Sequence, residues 1–358
     1  MEREKQVKIL HISRTMGQGG AEKVVFQLCK DILNVESYVA STGGEYVNEL
    51  SKIGVKHFFI PDLEKKDPIN LVKTFFALNK IIRKNNIKII HSHHRMAAFY
   101  VRLLQFINSN LVHIYTAHNV FFDKKKLMRF ALSKCQIVGC GKTVVDNLIN
   151  YYEIKKDSVQ CIYNSIEKPK YISKCNDFSE NDILIGCVGR LNKQKGIDIF
   201  IKAMNVVVTK YPKIKGIIIG EGEEKKYLEN LVSSLNIQEH IKFLGYRKDV
   251  FSLMNAMEFV VLPSRWEGFP LVPIETFSLG KTIIVSDIKN NLEIIKDKFN
   301  GLSFKKDDYD DLSKKIIELL CDVDFRKKLE SNALFDYVNN YSYEVFLNKY
   351  LDLYTLNQ

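Results

Sequence analysis

The chain has no long apolar run, no paired-cysteine motif and no internal repeat, and each absence removes a class of protein. No stretch of about eighteen apolar residues occurs, so a membrane-spanning helix is not expected. The charged segment Met1–Gln6 is followed by an apolar run, Val7–Ile12, which Lys8 and His11 interrupt. That run is too short and too polar for a signal-peptide core, so secretion by that route is not expected either. The seven cysteines include no CxxC pair and sit mostly in apolar contexts such as Ile185-Gly186-Cys187-Val188. They read as reduced core residues of a cytoplasmic protein. No coiled-coil heptad or low-complexity tract is present. With 46% hydrophobic and 27% charged residues, the composition also lacks the bias of disordered or collagen-like chains, so the chain should fold throughout.

At 358 residues the chain exceeds the usual size of a single core, which predicts two domains. The net charge of +11 is uneven: residues 1–170 hold 27 basic against 15 acidic side chains, and residues 171–358 hold 26 against 27. A basic first half suits nucleic acid, anionic lipid or a phosphorylated substrate, although a lysine-rich soluble surface produces the same excess.

Short apolar segments alternate with helical ones. The expected strands of the first half are 7–13, 37–41, 56–60, 87–92, 112–117, 137–140 and 159–163. Those of the second half are 183–188, 215–219, 241–244, 259–262 and 282–285. This alternation predicts α/β architecture, with two doubly wound, mainly parallel sheets. The polar stretch 167–182 links them, giving domains over 1–168 and 169–340. In the last segment, 341–358, Phe346, Leu347, Tyr350, Leu351 and Tyr354 recur at helical spacing. It should form a terminal helix that packs on one domain or crosses the cleft between them. Ligands of such sheets bind beyond the carboxyl ends of the strands, so the expected site is that cleft.

Candidate chemistry falls at those strand ends. Glu267 and Glu275 stand eight residues apart in Glu267-Gly-Phe269-Pro270-Leu271-Val-Pro273-Ile-Glu275. The prolines can open a helix, whose unpaired N–H groups and dipole suit phosphate oxygens, and each carboxylate can accept from hydroxyls. Taken alone, the pair equally fits a surface helix with an acidic first turn. Gly17-Gln-Gly19-Gly20 opens a helix after the first strand. Its spacing is not GxGxxG, and no acidic residue closes the second strand, so nicotinamide binding is not expected. Gly189-Arg190-Leu-Asn-Lys193-Gln-Lys195-Gly196 places two cations, Arg190 and Lys195, where they can neutralise a diphosphate or simply line a solvated loop. Gly220 and Gly222 form a further strand-end turn. Tyr246, after Gly245, reads either as a platform for a nucleobase or as a core aromatic.

His91, His93 and His94 cluster at one strand end and His118 follows another, yet no carboxylate or cysteine is placed nearby in sequence to complete a metal site; none is expected. His118 is the better candidate, since a neutral imidazole can donate to or accept from a sugar hydroxyl. Phe121, Phe122, Lys124, Lys125, Lys126 and Arg129 mix aromatics with cations. That mixture suits anionic lipid or, alternatively, a buried aromatic face with solvated lysines; with no nucleic-acid module in the chain, nucleic acid is not the expected partner.

Gly19-Gly20-Ala-Glu22, Thr116-Ala-His118, Gly189-Arg190-Leu followed by Gly196, Gly220-Glu-Gly222 and Glu267-Gly-Phe-Pro-Leu followed by Glu275 occur in this order. Together they resemble the family 4 retaining glycosyltransferases of GT-B fold over nearly the whole chain. The resemblance implies two Rossmann-like domains facing a cleft, with acceptor on the first and nucleotide-sugar donor on the second. It implies that Arg190 and Lys195 hold the donor diphosphate, Glu275 the ribose, and Glu267 the transferred sugar beside the Phe269–Leu271 backbone. His118 would line the reaction centre, with Gly19, Gly20, Gly189, Gly220, Gly222 and Tyr246 on the donor side. No metal cofactor is implied. The expected activity is transfer from a nucleotide-sugar, a UDP-sugar, to a lipid-linked or surface-polysaccharide precursor, at the cytoplasmic face of the cell membrane. A sugar-nucleotide 2-epimerase and a silent sugar-nucleotide-binding protein are the alternatives. Asn164-Ser165-Ile166-Glu167 and Gly141 depart from the family's usual residues at those positions, both off the donor site.

Overall fold

A computed structural model describes residues 7–356 apart from positions 18, 66, 170, 176, 180 and 181; Met1–Gln6 and the middle of the Gly17–Gly20 turn therefore lie outside the described residues. The chain divides into two compact units, one comprising residues up to Asn164 together with Glu344 onward, the other Ser165–Tyr343.

The N-terminal unit is built on seven strands: β1 Val7–Ile12, β2 Val35–Ser41, β3 Lys56–Phe59, β4 Ile89–Ser92, β5 Val112–Ala117, β6 Gln136–Gly139 and β7 Val159–Cys161. They lie in the order β3-β2-β1-β4-β5-β6-β7, and every pairing is parallel. Strands buried on both faces read as continuous apolar runs because alternate residues feed different clusters. Tyr38 and Ala40 of β2 join one core with Leu10 and Ile12, while Val39 joins another with Met16 and Val25. The helix Tyr343–Thr355 buries Phe346, Tyr350, Leu353 and Tyr354, and from Glu344 onward it groups with this unit.

The C-terminal unit repeats the plan with six parallel strands: β8 Ile183–Val188, β9 Ile214–Ile219, β10 Ile241–Gly245, β11 Phe259–Leu262, β12 Ile283–Ser286 and β13 Leu302–Phe304, in the order β10-β9-β8-β11-β12-β13. The helix Ile197–Val208 is buried along most of its length and packs Phe200, Met204 and Val207 into the main core. The three-residue β13 was not expected from the sequence. A strand of that length carries no readable alternation and is fixed by its pairing to β12.

Candidate functional site

In the C-terminal unit β8 and β11 are neighbours, so the loops that follow them emerge side by side. A short 3-10 turn, Lys193–Lys195, follows β8; Asn192 caps it by accepting from the Lys195 backbone N–H at 3.2 Å. The turn delivers the Lys195 ammonium to Glu267, on the loop after β11, with Nζ 2.6 Å from Oε1. The same carboxylate oxygen accepts from Ser264 Oγ at 2.6 Å, and Gln194 Nε2 lies 3.4 Å from the other. Glu267 is only 9% exposed, so this carboxylate is almost withdrawn from water and is stabilised as an anion by a cation and a hydroxyl. The two residues, 72 positions apart in the chain, thus form one charged unit.

Arg265 holds the two loops in register. Its guanidinium clasps Asp198 through two bonds of 2.8 and 3.0 Å, reaches Asp307 at 2.7 Å and donates to the Lys193 carbonyl at 2.9 Å, while its backbone N–H donates to the Gln194 carbonyl at 2.7 Å. The hydrogen bonds to Asp198, reinforced by the charges of Asp198 and Asp307, raise the Arg265 pKa above its ordinary value. None of Arg265, Asp198, Asp307, Ser264 or Gln194 was singled out from the sequence. The only available signal was Ser264, three residues before Glu267.

Arg190 stands apart from this cluster. It is exposed, and among the described residues it makes no ion pair or side-chain hydrogen bond. Its charge is therefore uncommitted within the unit, whereas Lys195 shares its charge with Glu267. Gly189 donates to the Ile219 carbonyl at 3.0 Å, Leu191 to Glu221 at 2.9 Å and Gly220 to Gly245 at 2.8 Å, tying together the loops after β8, β9 and β10. A Cβ on Gly220 would lie 1.9 Å from the Gly189 carbonyl oxygen, and one on Gly222 2.2 Å from that of Leu191. These two glycines are needed for loop-to-loop contact. Tyr246 is 58% exposed, which excludes the core-aromatic alternative. Phe269 and Pro270 are buried, and Glu275 is half-buried in the seven-residue helix Val272–Ser278, with Leu271 just before it.

In the N-terminal unit Gly19 caps the helix Gly20–Asp31, and the Glu22 side chain, which accepts from Thr15 Oγ1 at 2.8 Å, folds back beside it. The register of β1 on β4 sets His11 opposite His91. His11 Nδ1 lies 3.2 Å from His93 Nε2, and His93 Nδ1 lies 3.1 Å from His118 Nε2. His91 bonds at 2.7 Å to both Tyr354 Oη and Thr116 Oγ1. Burial keeps these rings neutral, pushing His11 down to about 3, His118 to about 4, and His91 and His93 well below the ordinary value. His11, His91 and His93 bring nitrogens within 4.8 Å of one another, a spacing a metal could use, but hydrogen bonds already engage both nitrogens of His91 and of His93. His94 has a separate job as the cap of the helix Arg95–Ile107.

Two family models match the chain, one over each half: the group 1 glycosyl transferases over residues 170–334 and glycosyltransferase family 4 over residues 18–168. The chain belongs to the family 4 glycosyltransferases. An uncharacterised glycosyltransferase of Methanocaldococcus jannaschii is 28% identical over 326 residues, 88% of each chain. The Escherichia coli UDP-Gal:alpha-D-GlcNAc-diphosphoundecaprenol alpha-1,3-galactosyltransferase is 24% identical over 98% of this chain and 97% of its own. The Campylobacter jejuni N,N'-diacetylbacillosaminyl-diphospho-undecaprenol alpha-1,3-N-acetylgalactosaminyltransferase is 26% identical over 89% of this chain and 90% of its own. A solved glycosyltransferase of Rickettsia africae, 22% identical, matches 99% of both chains with a TM-score of 0.88, which fixes the fold as GT-B.

In this glycosyltransferase the aromatic and basic segment after His118 is only partly free. Phe121 lies under the Arg95 guanidinium at 3.8 Å, and its backbone is bonded at both ends to the Asn147 side chain. Lys125 and Arg129, on the helix Lys125–Ala131, both pair with Glu153 at 2.6 Å. The expected cluster of solvated cations is therefore reduced, because a carboxylate 24 to 28 residues further on neutralises part of it. Lys124 and Lys126 are exposed, as are Phe122 at 71% and the stacked pair Phe106 and Phe130. No helix among the described residues is long and apolar enough to cross a membrane.

Proposed function

We propose that this glycosyltransferase moves a sugar, with retention of anomeric configuration, from a UDP-sugar to a hydroxyl of a lipid-linked or surface-polysaccharide precursor. The observation that carries the reading is the buried Lys195–Glu267 pair, formed between the loops that follow the adjacent strands β8 and β11, with the uncommitted Arg190 on the first of those loops. In the proposed reaction the bond from the anomeric carbon to the diphosphate oxygen breaks, and its electron pair leaves with the nucleoside diphosphate. The acceptor oxygen bonds to the same face of the anomeric carbon and gives its proton to a diphosphate oxygen. The protein's share is then electrostatic: Arg190 and Lys195 offset the charge growing on the leaving group. Glu267, oriented by Lys195 and Ser264, accepts from a hydroxyl of the transferred sugar. Glu275 accepts from the ribose, Tyr246 offers its ring to the base, and no metal is assigned a part.

The acceptor half of the reading draws on the names of the Escherichia coli and Campylobacter jejuni relatives, whose acceptors are undecaprenol-linked diphosphate sugars. Exposed Phe122, Phe106 and Phe130 with Lys124 and Lys126 suit the surface of an anionic bilayer, where such an acceptor resides. We place the enzyme peripherally, at the cytoplasmic leaflet.

Thermal unfolding tests the donor assignment. A ligand at a hundred times its Kd stabilises the folded state by about 2.7 kcal/mol, which for a unit of this size raises the melting temperature by roughly 5–10 °C. UDP should give that shift and GDP at the same concentration should not. An equal shift from GDP, or none from either, overturns the UDP assignment.

A further inference from the structure

Glu267 lies on the loop after β11, and the sheet order sets that loop between two others, those after β8 and β12. The β8 side supplies Lys195 and Gln194. The β12 side supplies a second set of contacts, from Ser286 at the end of the strand and from Asn290 and Asn291 on the short helix Lys289–Leu292. Asn290 Nδ2 donates to the Gly268 carbonyl at 2.6 Å. Asn291 Nδ2 donates at 3.0 Å to both the carbonyl and the hydroxyl of Ser286. Ser286 Oγ in turn donates to the Ser264 carbonyl, and Ser264 Oγ donates to Glu267 Oε1.

The partners fix the direction of every bond. The carbonyls of Gly268, Ser286 and Ser264 can only accept, so each asparagine must present its amide NH2, and Ser286 must give its proton to Ser264. Ser264, Ser286 and Asn291 are wholly buried, and Asn291 Oδ1 has no hydrogen-bond partner in the protein. A buried amide with an unmet acceptor costs stability, and an apolar side chain of that size would fill the space without the cost. Its two donated bonds are what such a side chain could not supply. At Asn290 the effect is on backbone geometry: because a peptide unit is planar and trans, holding the Gly268 carbonyl also sets the direction of the Phe269 N–H on its other side.

We infer that Asn290 and Asn291 are positioning residues for sugar transfer: Asn290 fixes the Gly268–Phe269 peptide, and Asn291, through Ser286 and Ser264, fixes the Glu267 carboxylate. Neither touches substrate in this account. Both act on the part of the site assigned to the transferred sugar, and not on the part assigned to the nucleotide. The consequence for turnover rests on the reading of Glu267 as the contact to the transferred sugar; the anchoring of the loop does not. A contact that only held the fold together would loosen the whole unit and would not separate turnover from nucleotide binding.

Two measurements on the full-length protein test this in Asn290→Ala and Asn290→Asp, which both remove the donor, the second with little change of volume. Asn290 is only partly buried, so both variants should fold. Amide hydrogen exchange without sugar nucleotide should become about tenfold faster in fragments covering residues 264–271, the factor expected from one lost hydrogen bond, and stay unchanged in the helix Ile197–Val208. With the UDP-sugar and polyprenyl-diphosphate-linked sugar that the wild type uses, kcat should fall by roughly ten- to a hundredfold, the scale of a misplaced reacting group, while the inhibition constant of UDP stays within about twofold. Ser286→Ala, which cuts the route from Asn291 to Ser264, should show the same split. Unchanged exchange over residues 264–271, exchange that quickens equally in every fragment, or turnover and UDP inhibition that weaken in parallel would each overturn the inference. If no UDP-sugar is turned over by the wild type, the donor reading has failed, and the exchange measurement alone decides the anchoring.

Discussion

Lowering the pH from about 7 to about 5.5 should remove on the order of 5 kcal/mol from the stability of the N-terminal unit. Five of its histidines carry the effect. His11 and His113 are pushed down to about 3 and His118 to about 4 by burial, and His91 and His93 are well below the ordinary value for the same primary reason. In the unfolded chain each titrates near 6.5. Between the two values the unfolded state binds more protons than the folded one, so stability falls as pH drops through 6.5 and keeps falling until the folded values are reached. Each site contributes roughly 1 kcal/mol over this interval, and a domain has only about 5–15 kcal/mol in total. Carboxylates add little in the same window, because those of this unit with resolved shifts, Asp62, Asp123 and Glu153, are lowered by their basic partners and titrate further down. Urea unfolding followed at a series of pH values measures the effect directly. A stability that is flat, or that rises, as pH falls across this interval would contradict the buried neutral histidine cluster.

Arg190→Ala and Glu267→Ala should each lower turnover by at least roughly a hundredfold, the scale seen when a single group that stabilises transition-state charge is removed. The two variants reach that loss differently. Arg190 is exposed and uncommitted, so its removal should leave the melting temperature unchanged while the leaving diphosphate loses its free cation. Glu267 is buried and paired with Lys195, so Glu267→Ala also strips the partner from a mostly buried ammonium and should destabilise the fold. Glu267→Gln keeps the volume and an acceptor for Ser264, and the loss of turnover should persist in it. Glu275→Ala should raise the donor KM more than it lowers kcat, as expected of a ribose contact made equally in the ground state and the transition state. Near-normal turnover in folded Arg190→Ala or Glu267→Gln would sink the assignment of these roles.

Much of the fold was legible because its strands are short, apolar and buried on both faces. Twelve of the segments read as strands correspond to β1–β12, with ends shifted by at most a few residues, as at β4, where helix-to-strand connection residues Ile87 and Lys88 are as apolar or as neutral to pattern as the strand itself. The three-residue β13 was missed because it exists only through its pairing with β12. Of the candidate site, the charged groups were legible by their position after strands. Their pairing was not: Lys195 and Glu267 meet because the sheet order places β8 beside β11, an adjacency that local pattern does not carry. The same reason hid the histidine chain. His11 reads in sequence as a polar interruption of an apolar run, and it meets His93 and His118 only because β1, β4 and β5 are consecutive in the sheet. Arg265 was overlooked for want of any local motif; its meaning lies in Asp198 and Asp307, 67 and 42 residues away.

The most direct measurement is the anomeric configuration of the product formed from a UDP-sugar and a polyprenyl-diphosphate-linked sugar, read by proton NMR of the new glycosidic linkage. The proposed front-face transfer predicts a linkage with the same configuration as the donor, formed only when the acceptor is present. An inverted linkage, or an epimerised sugar nucleotide produced without any acceptor, would contradict it.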